Sequence, residues 1–132
     1  MAEVRSKPGK ARVLIVDDEP DMLDFMERVL RRSYDVTITD DSRRALELLR
    51  SETFELLITD HHMPKVSGME LVGQLGDLPH KVIAIVISGF AEAPDIQAAM
   101  EQGAIQNYLL KPVDSRKLLT AIEQAYSSRE SP

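Results

Sequence analysis

The chain has 132 residues, of which 43% are hydrophobic and 29% are charged, and its net charge is -6. This composition predicts one globular domain with a substantial core, and no run of about 18 apolar residues predicts a membrane span. The sequence has no cysteine, which excludes disulfides and thiolate metal sites. The negative charge disfavours direct binding of nucleic acid. We therefore expect a cytoplasmic protein that binds neither membranes nor nucleic acid by itself.

The chain divides into a domain and two short polar ends. Residues 1–10 lack the apolar stretch of a signal peptide and are interpreted as a flexible lead-in. Residues 11–127 are predicted to form the domain. Residues 128–132 are interpreted as a tail or as the start of a linker.

Apolar runs alternate with amphipathic stretches along the domain. The runs predict β-strands at residues 12–16, 35–39, 55–59, 82–87 and 105–110. Most are continuous runs of β-branched residues or leucine, which is typical of strands buried on both faces. Alternation of this kind predicts an α/β fold with a doubly wound, five-stranded parallel sheet in the order 2-1-3-4-5 and helices on both faces.

Each amphipathic stretch has a candidate capping residue. The five predicted helices begin after Asp18, after Asp41 or Ser42, after Ser67, near Pro94, and after Asp114 or Ser115. The spacing of the first helix predicts a buried face of Met22, Phe25, Met26 and Val29, with Leu23 outward. The last helix has a predicted apolar stripe of Leu118, Leu119, Ile122 and Ala125.

Charged side chains follow three of the predicted strands. Asp60 follows the third strand, Asp17 and Asp18 follow the first, and Lys111 follows the fifth. The carboxyl ends of parallel strands meet at one edge of the sheet, where open α/β sheets bind ligands. Three carboxylates and one ammonium group carry a combined charge of -2, which a divalent cation would neutralise. This pattern predicts a metal and phosphoryl site.

Short motifs at the strand ends carry a family resemblance. They are Asp17-Asp18, Asp60-x-x-Met63-Pro64-x-x-x-Gly68, Ser88-Gly89 and Tyr108-x-x-Lys111-Pro112. Together they resemble the receiver domain of bacterial two-component response regulators, over residues 12–126. The resemblance implies a flavodoxin-like receiver fold and a signalling switch in which Asp60 accepts a phosphoryl group from a histidine kinase or a histidine phosphotransfer protein. It also implies a protein that catalyses only its own phosphorylation and dephosphorylation, and is otherwise not an enzyme.

The resemblance assigns a metal and a lysine to the site. Asp18, Asp60 and the backbone carbonyl of His62 would bind Mg²⁺ or Mn²⁺ directly, and Asp17 would act through water. Oxygen ligands of this kind suit Mg²⁺. Lys111 would pair with a phosphoryl oxygen, and the family has a cis peptide at the Lys111-Pro112 step.

Further positions are assigned to switching and to the lifetime of the phosphorylated state. The Ser88 hydroxyl would donate to a phosphoryl oxygen, and Tyr108 would turn inward when Ser88 moves. Side chains of His62 and Phe90 would flank the path of attacking water and tune dephosphorylation. The dephosphorylation rates of His62→Ala and Phe90→Ala test this role in tuning. Rates equal to that of the parent in both variants would contradict it.

Two surfaces are expected to bind partners. In the family, the histidine-containing partner docks over the first helix and the loop after the last strand. The fourth helix, fifth strand and fifth helix form the usual output or dimerisation face, so a homodimer through that face is possible on this resemblance.

Other interpretations of the same residues remain as alternatives. The first is a phosphate-independent interaction module with the receiver fold. A phosphatase of the haloacid dehalogenase type would need an acid where His62 stands, and a flavin-binding domain would need a Ser/Thr/Gly-rich loop after the first strand. A zinc site at His61 and His62 is disfavoured because adjacent loop residues should point in different directions.

Overall fold

The computed structural model describes residues 10–89 and 93–130. These residues form alternating strands and helices: β1 Ala11–Val16, α1 Pro20–Leu30, β2 Tyr34–Thr39, α2 Ser42–Ser51, β3 Leu56–Asp60, α3 Gly68–Gln74, β4 Ile83–Ser88, α4 Pro94–Gln102, β5 Asn107–Leu110 and α5 Ser115–Glu130. A short 3-10 helix, Leu75–Asp77, directly follows α3. Within these ranges, no helix has the length and apolar character needed to cross a membrane.

All five strands form one parallel sheet in the order β2-β1-β3-β4-β5, which confirms the predicted fold. The first two crossovers, from β1 to β2 and from β2 to β3, place β1 and β3 side by side, with Val16 paired to Thr59. The next strand pairs Asp60 with Ile87. The ends of β1, β3, β4 and β5 therefore lie next to one another at one edge of the sheet.

The sheet separates two apolar layers. Alternate strand residues such as Ile15 and Ile58 pack against α1 and α5 on one face. Their neighbours Leu14 and Leu57 pack against α2 and α3 on the other face, where Val86 also contacts α4. Because β1, β3 and β4 are covered on both faces, their residues are buried without alternation.

The strand boundaries differ from the predictions by one or two residues. β3 and β4 include Asp60 and Ser88, so these two side chains leave the last residue of a strand. β5 begins at Asn107, two residues later than predicted. Just before it, Gln106 bonds to Ala84 of β4 through both its backbone N–H, at 2.9 Å, and its side-chain oxygen, which accepts from Ala84 N–H at 2.8 Å.

The predicted orientation of α1 was wrong at Leu23. Leu23 is buried together with Met26 and Leu30, and Met22, Phe25 and Val29 are half-buried around them. The inner stripe has the spacing i, i+3 and i+7, so the helix is rotated by about one residue from the predicted face. Leu23 is thus a core residue, and it does not contribute to a docking surface on α1.

Two details of the helix ends and faces also correct the predictions. Asp18 does not cap α1: Glu19 is the N-cap, without a side-chain hydrogen bond. Leu119 is 44% exposed and does not belong to the buried stripe of α5. That stripe is Leu118, Ala121, Ile122 and Ala125, because Leu119 lies about 100° around the helix from Leu118.

The other predicted caps are present. Asp41 accepts a hydrogen bond from Arg43 N–H, and Asp114 accepts one from Lys117 N–H. Ser67 and Glu70 form a reciprocal capping box at α3. α4 ends at Gly103, which has a φ of 77°. α5 continues through Ser128 to Glu130, and so runs three residues into the segment interpreted as a tail.

Candidate functional site

Three aspartates meet at the carboxyl edge of the sheet. Carboxylate oxygens of Asp17, Asp18 and Asp60 all lie within 4.8 Å of one another. Asp17 and Asp60 are buried, whereas Asp18 is exposed. The neighbouring positions of β1 and β3 bring them together, since each side chain stands at the end of its strand.

Lys111 lies beside this cluster. Its Nζ is 3.1 Å from Asp60 Oδ1, and its side chain is one-third exposed. The Lys111 N–H donates to the carbonyl of Ser88 at 2.9 Å, which ties the residue to the end of β4. The Lys111-Pro112 peptide is cis, as the resemblance predicted. Lys111 therefore reaches the same edge of the sheet as the aspartates.

One oxygen of Asp17 is an unusual feature of the cluster. Oδ1 accepts a hydrogen bond from Glu19 N–H at 2.9 Å, but Oδ2 is buried without a hydrogen-bond partner among the described residues. Buried polar oxygens are rarely left in that state. A divalent cation with its coordinated water would satisfy this oxygen, so the donor set fits Mg²⁺.

The electrostatics of the cluster agree with this fit. Burial, together with the nearby charge of Asp60, raises the pKa of Asp17 from 3.8 to about 6, although the Glu19 hydrogen bond opposes the change. Burial also raises the pKa of Asp60, despite the hydrogen bond from Lys111. Burial acts to lower the pKa of Lys111, but the bond to Asp60 raises it overall. The metal-free cluster therefore holds negative charge at a cost, which a cation would offset.

Ser88 and Tyr108, the residues assigned to switching, lie on the neighbouring strands β4 and β5. Ser88 is buried at the end of β4, opposite Leu110. Tyr108 is half-buried and packs against the apolar layer around Ile96 and Ala99 of α4. Phe90, which was predicted to tune dephosphorylation, lies outside the described residues.

The expected divergence of the two adjacent histidines was wrong. The rings of His61 and His62 are stacked, with centroids 4.3 Å apart and an interplanar angle of 13°. His61 is buried and His62 is exposed. In the described part of the chain, the group of ligands close enough for one metal ion is the three aspartates, and it includes neither histidine.

The sequence did not predict that two further residues, Gly68 and Ser42, support the backbone near the site. Gly68 N–H donates to the carbonyl of His61 at 3.0 Å, and a Cβ on Gly68 would lie 2.2 Å from the Asp60 carbonyl oxygen. The buried Ser42 hydroxyl donates to the carbonyl of Pro64 and accepts from Val66 N–H, both at 3.0 Å. The motif spacing contained Gly68, but the reason for a glycine there required the approach of α3 to β3.

A comparison with family models decides the classification. The model of the response regulator receiver domain matches residues 13–123. The chain belongs to the response regulator receiver family. The predicted resemblance is thereby confirmed. In this receiver domain, the cluster of Asp17, Asp18 and Asp60 lies at the carboxyl edge of the sheet.

Individual relatives agree with this classification. A 14.6 kDa protein of Leptolyngbya boryana is 36% identical over 115 residues, covering 85% of this chain and 87% of its own length. The two-component response regulator ORR22 of Oryza sativa subsp. indica is 43% identical over 117 residues, covering 84% of this chain. The match covers only 16% of the length of that rice protein. It covers between 16% and 25% of the length of several other relatives.

A solved structure confirms the fold. The receiver domain protein of Methanospirillum hungatei JF-1 superimposes with a TM-score of 0.81 at 27% identity. The match covers 92% of this chain and 98% of that protein.

Removing the Lys111 charge is expected to strengthen Mg²⁺ binding. The ammonium group occupies Asp60 Oδ1 at 3.1 Å and competes with a cation for the same carboxylate. We expect Lys111→Met to bind Mg²⁺ about fivefold to tenfold more tightly in titration calorimetry. Lys81→Met, which removes the same charge at an exposed position, should leave the affinity unchanged. Equal or weaker binding by Lys111→Met would contradict competition between the ammonium group and the metal.

Proposed function

We propose that this receiver domain is a phosphorylation-dependent switch of a two-component system, with Asp60 as the phosphoacceptor. The observation that carries the proposal is a buried Asp60 carboxylate held 3.1 Å from Lys111 and next to two further aspartates. The donor would be a histidine kinase or a histidine phosphotransfer protein. Support for a two-component role comes from the family match and from the similarity to the rice two-component response regulator ORR22.

The geometry suits transfer of a phosphoryl group to Asp60. An oxygen of the Asp60 carboxylate would attack phosphorus, a P–O bond to Asp60 would form, and the bond from phosphorus to the donor atom would break. Lys111 would then pair with a phosphoryl oxygen in place of the carboxylate, and Ser88 would donate its hydroxyl. Asp17, Asp18, Asp60 and the His62 carbonyl would hold Mg²⁺ or Mn²⁺, which when bound neutralises charge on the transferring group.

The domain would act on no other substrate. It would catalyse its own phosphorylation and dephosphorylation, with His62 and Phe90 tuning the second reaction. A change at Ser88 would reach Tyr108, which packs against the α4 layer, and so alter the face of α4, β5 and α5. We propose that this face binds output partners or a second copy of the chain.

The partners and location follow from the same proposal. The phosphodonor would dock over α1 and the loop after β5, next to Asp18 and Lys111. A net charge of -6 disfavours direct contact with nucleic acid by this domain. A kinase that acts inside the cell would place the domain in the cytoplasm.

Intact-mass spectrometry after incubation with acetyl phosphate tests the proposal. With Mg²⁺ we expect a single phosphoryl adduct, which is lost in the presence of a chelator and is absent from Asp60→Asn. Asp40→Asn changes an exposed aspartate outside the cluster and should keep the adduct. An adduct that persists in Asp60→Asn would exclude Asp60 as the acceptor. A lack of both adduct and Mg²⁺ binding would instead favour the phosphate-independent interaction module.

A further inference from the structure

A contact outside the aspartate cluster joins β3 to α4. His61 directly follows Asp60, and its side chain is only 8% exposed. His61 Nε2 lies 3.0 Å and 3.1 Å from the two carboxylate oxygens of Asp95. Asp95 is in the first turn of α4, 34 residues further along the chain. The contact therefore ties the residue after Asp60 to the start of a helix on the sheet face.

Hydrogen bonds hold the backbone of His61 at both its N–H and its carbonyl. Its N–H donates to the carbonyl of Ile87 at 2.8 Å, and its carbonyl accepts from Gly68 N–H at 3.0 Å. The ring also stacks on that of His62. The position of the imidazole thus depends on the end of β4, the start of α3 and the His62 ring.

The helix at the other end of the contact is weakly anchored. Ile96 and Ala99 are its buried residues, whereas α1, α2 and α3 each bury at least three. Burial acts to raise the pKa of Asp95, but the hydrogen bond and charge of His61 lower it overall. A charge-assisted hydrogen bond is among the stronger polar contacts, so the contact between His61 and Asp95 adds to the attachment of α4.

We propose that His61 is a positioning residue that couples occupation of the Asp60 site to the position of α4 through its contact with Asp95. The proposal rests on the proposed function, because it takes Asp60 and the His62 carbonyl as ligand positions. These two residues flank His61 in the chain, so a group bound by both would shift the peptides on either side of the His61 ring from the positions set by their hydrogen bonds to Ile87 and Gly68. Its orientation, and with it the attachment of Asp95, then differs between the empty and the occupied site.

Thermodynamic linkage makes the coupling measurable. If occupation of the site changes how readily α4 opens, the opening of α4 must change the affinity of the site by the same factor. A contact that only holds α4 in place would change helix opening equally in both states, and the affinity would not change. The ratio of α4 amide exchange with and without ligand therefore separates coupling from simple support.

The experiment uses Mg²⁺ with beryllofluoride, a tetrahedral analogue of a phosphoryl group, and follows amide hydrogen exchange at residues 95–102 by NMR. The parent is compared with His61→Phe, which keeps a stacked ring, and with Asp95→Ala, which changes a half-exposed side chain. Glu101→Gln is the matched control, because it removes a charge from an exposed position of α4.

In the parent and in Glu101→Gln, we expect the ligand to change α4 exchange by about fivefold or more. In His61→Phe and Asp95→Ala, we expect a change below about twofold, with an equal shift in ligand affinity. A ligand-dependent ratio in both variants equal to that of the parent would overturn the coupling, even if their exchange were faster overall. Binding without any α4 response in the parent would also overturn it, whereas no binding in the parent would reject the proposed function and the coupling together.

Discussion

Asp17→Asn is expected to stabilise the metal-free protein at pH 7.5 and to weaken Mg²⁺ binding about 10- to 100-fold. Asp17 is fully buried, and the pKa of its carboxyl is raised from 3.8 to about 6. At pH 7.5 the folded protein must hold this charge against the cost of burial and the charge of Asp60. A pKa change of that size corresponds to a stability difference of up to about 3 kcal/mol.

The pH dependence follows from the direction of the change. Between pH 3.8 and about pH 6, folded Asp17 keeps a proton that the unfolded chain has already lost. The contribution of Asp17 to the free energy of unfolding therefore falls as pH rises through this window. Above the window, this contribution stays lower by a constant amount. Asparagine does not titrate, so the advantage of Asp17→Asn should be near zero below pH 3.8 and reach its full value above about pH 6.

Urea denaturation in a chelator at several pH values measures this effect, and calorimetry measures Mg²⁺ affinity. Asp24→Asn is the matched control, because it removes the same charge from an exposed position on α1. It should change neither quantity appreciably. A gain in stability that is the same at every pH, or a loss at pH 7.5, would contradict the assignment of the cost to the buried Asp17 charge.

Gly68→Ala is expected to destabilise the domain by about 3 kcal/mol. An added Cβ would lie 2.2 Å from the Asp60 carbonyl oxygen and 3.2 Å from His61 Cα. Both are backbone atoms of the strand end, so neither can turn aside as a flexible side chain would. The start of α3 must move away from β3, which breaks the hydrogen bond from Gly68 N–H to His61. We also expect weaker Mg²⁺ binding, because the displaced backbone carries Asp60 and His62.

Gly73→Ala is the matched control within the same helix. A Cβ at Gly73 would meet no atom within 4 Å, and alanine favours the helix by roughly 0.5–1 kcal/mol over glycine. The two variants should therefore differ in the sign of their effect in urea denaturation. If Gly68→Ala were as stable as the parent, this would contradict the close contact between the start of α3 and the Asp60 carbonyl.

The order of the strands and the place of the site could be predicted because each depends on a local pattern. Continuous apolar runs separated by amphipathic stretches define β1 to β5, and few topologies satisfy the crossover rules. Asp60, Lys111 and Ser88 stand at the ends of those runs. Parallel strands bring these ends to one edge whatever the details of packing.

The predictions that were wrong or missing concern side-chain positions that local sequence patterns do not determine. Leu23 lies within an apolar stretch that extends around much of α1, so a rotation by one residue exchanges inner and flanking positions. Asp17 and Asp18 are adjacent acids, and only the structure shows that Asp17 accepts the Glu19 N–H. The contact between His61 and Asp95 joins two separate elements, and neither residue stands in a periodic pattern that would indicate its partner.

The charged groups of the site come from strands distributed along most of the chain, from Asp17 after β1 to Lys111 after β5. A partly synthesised chain that ends before β5 would have all three carboxylates and no ammonium group beside Asp60. Its edge would lack the cation that holds the Asp60 carboxylate, as well as the β4–β5 pairing that places it. On the proposed function, Asp60 would therefore become competent to accept a phosphoryl group only once synthesis has passed β5 and the last strand has joined the sheet.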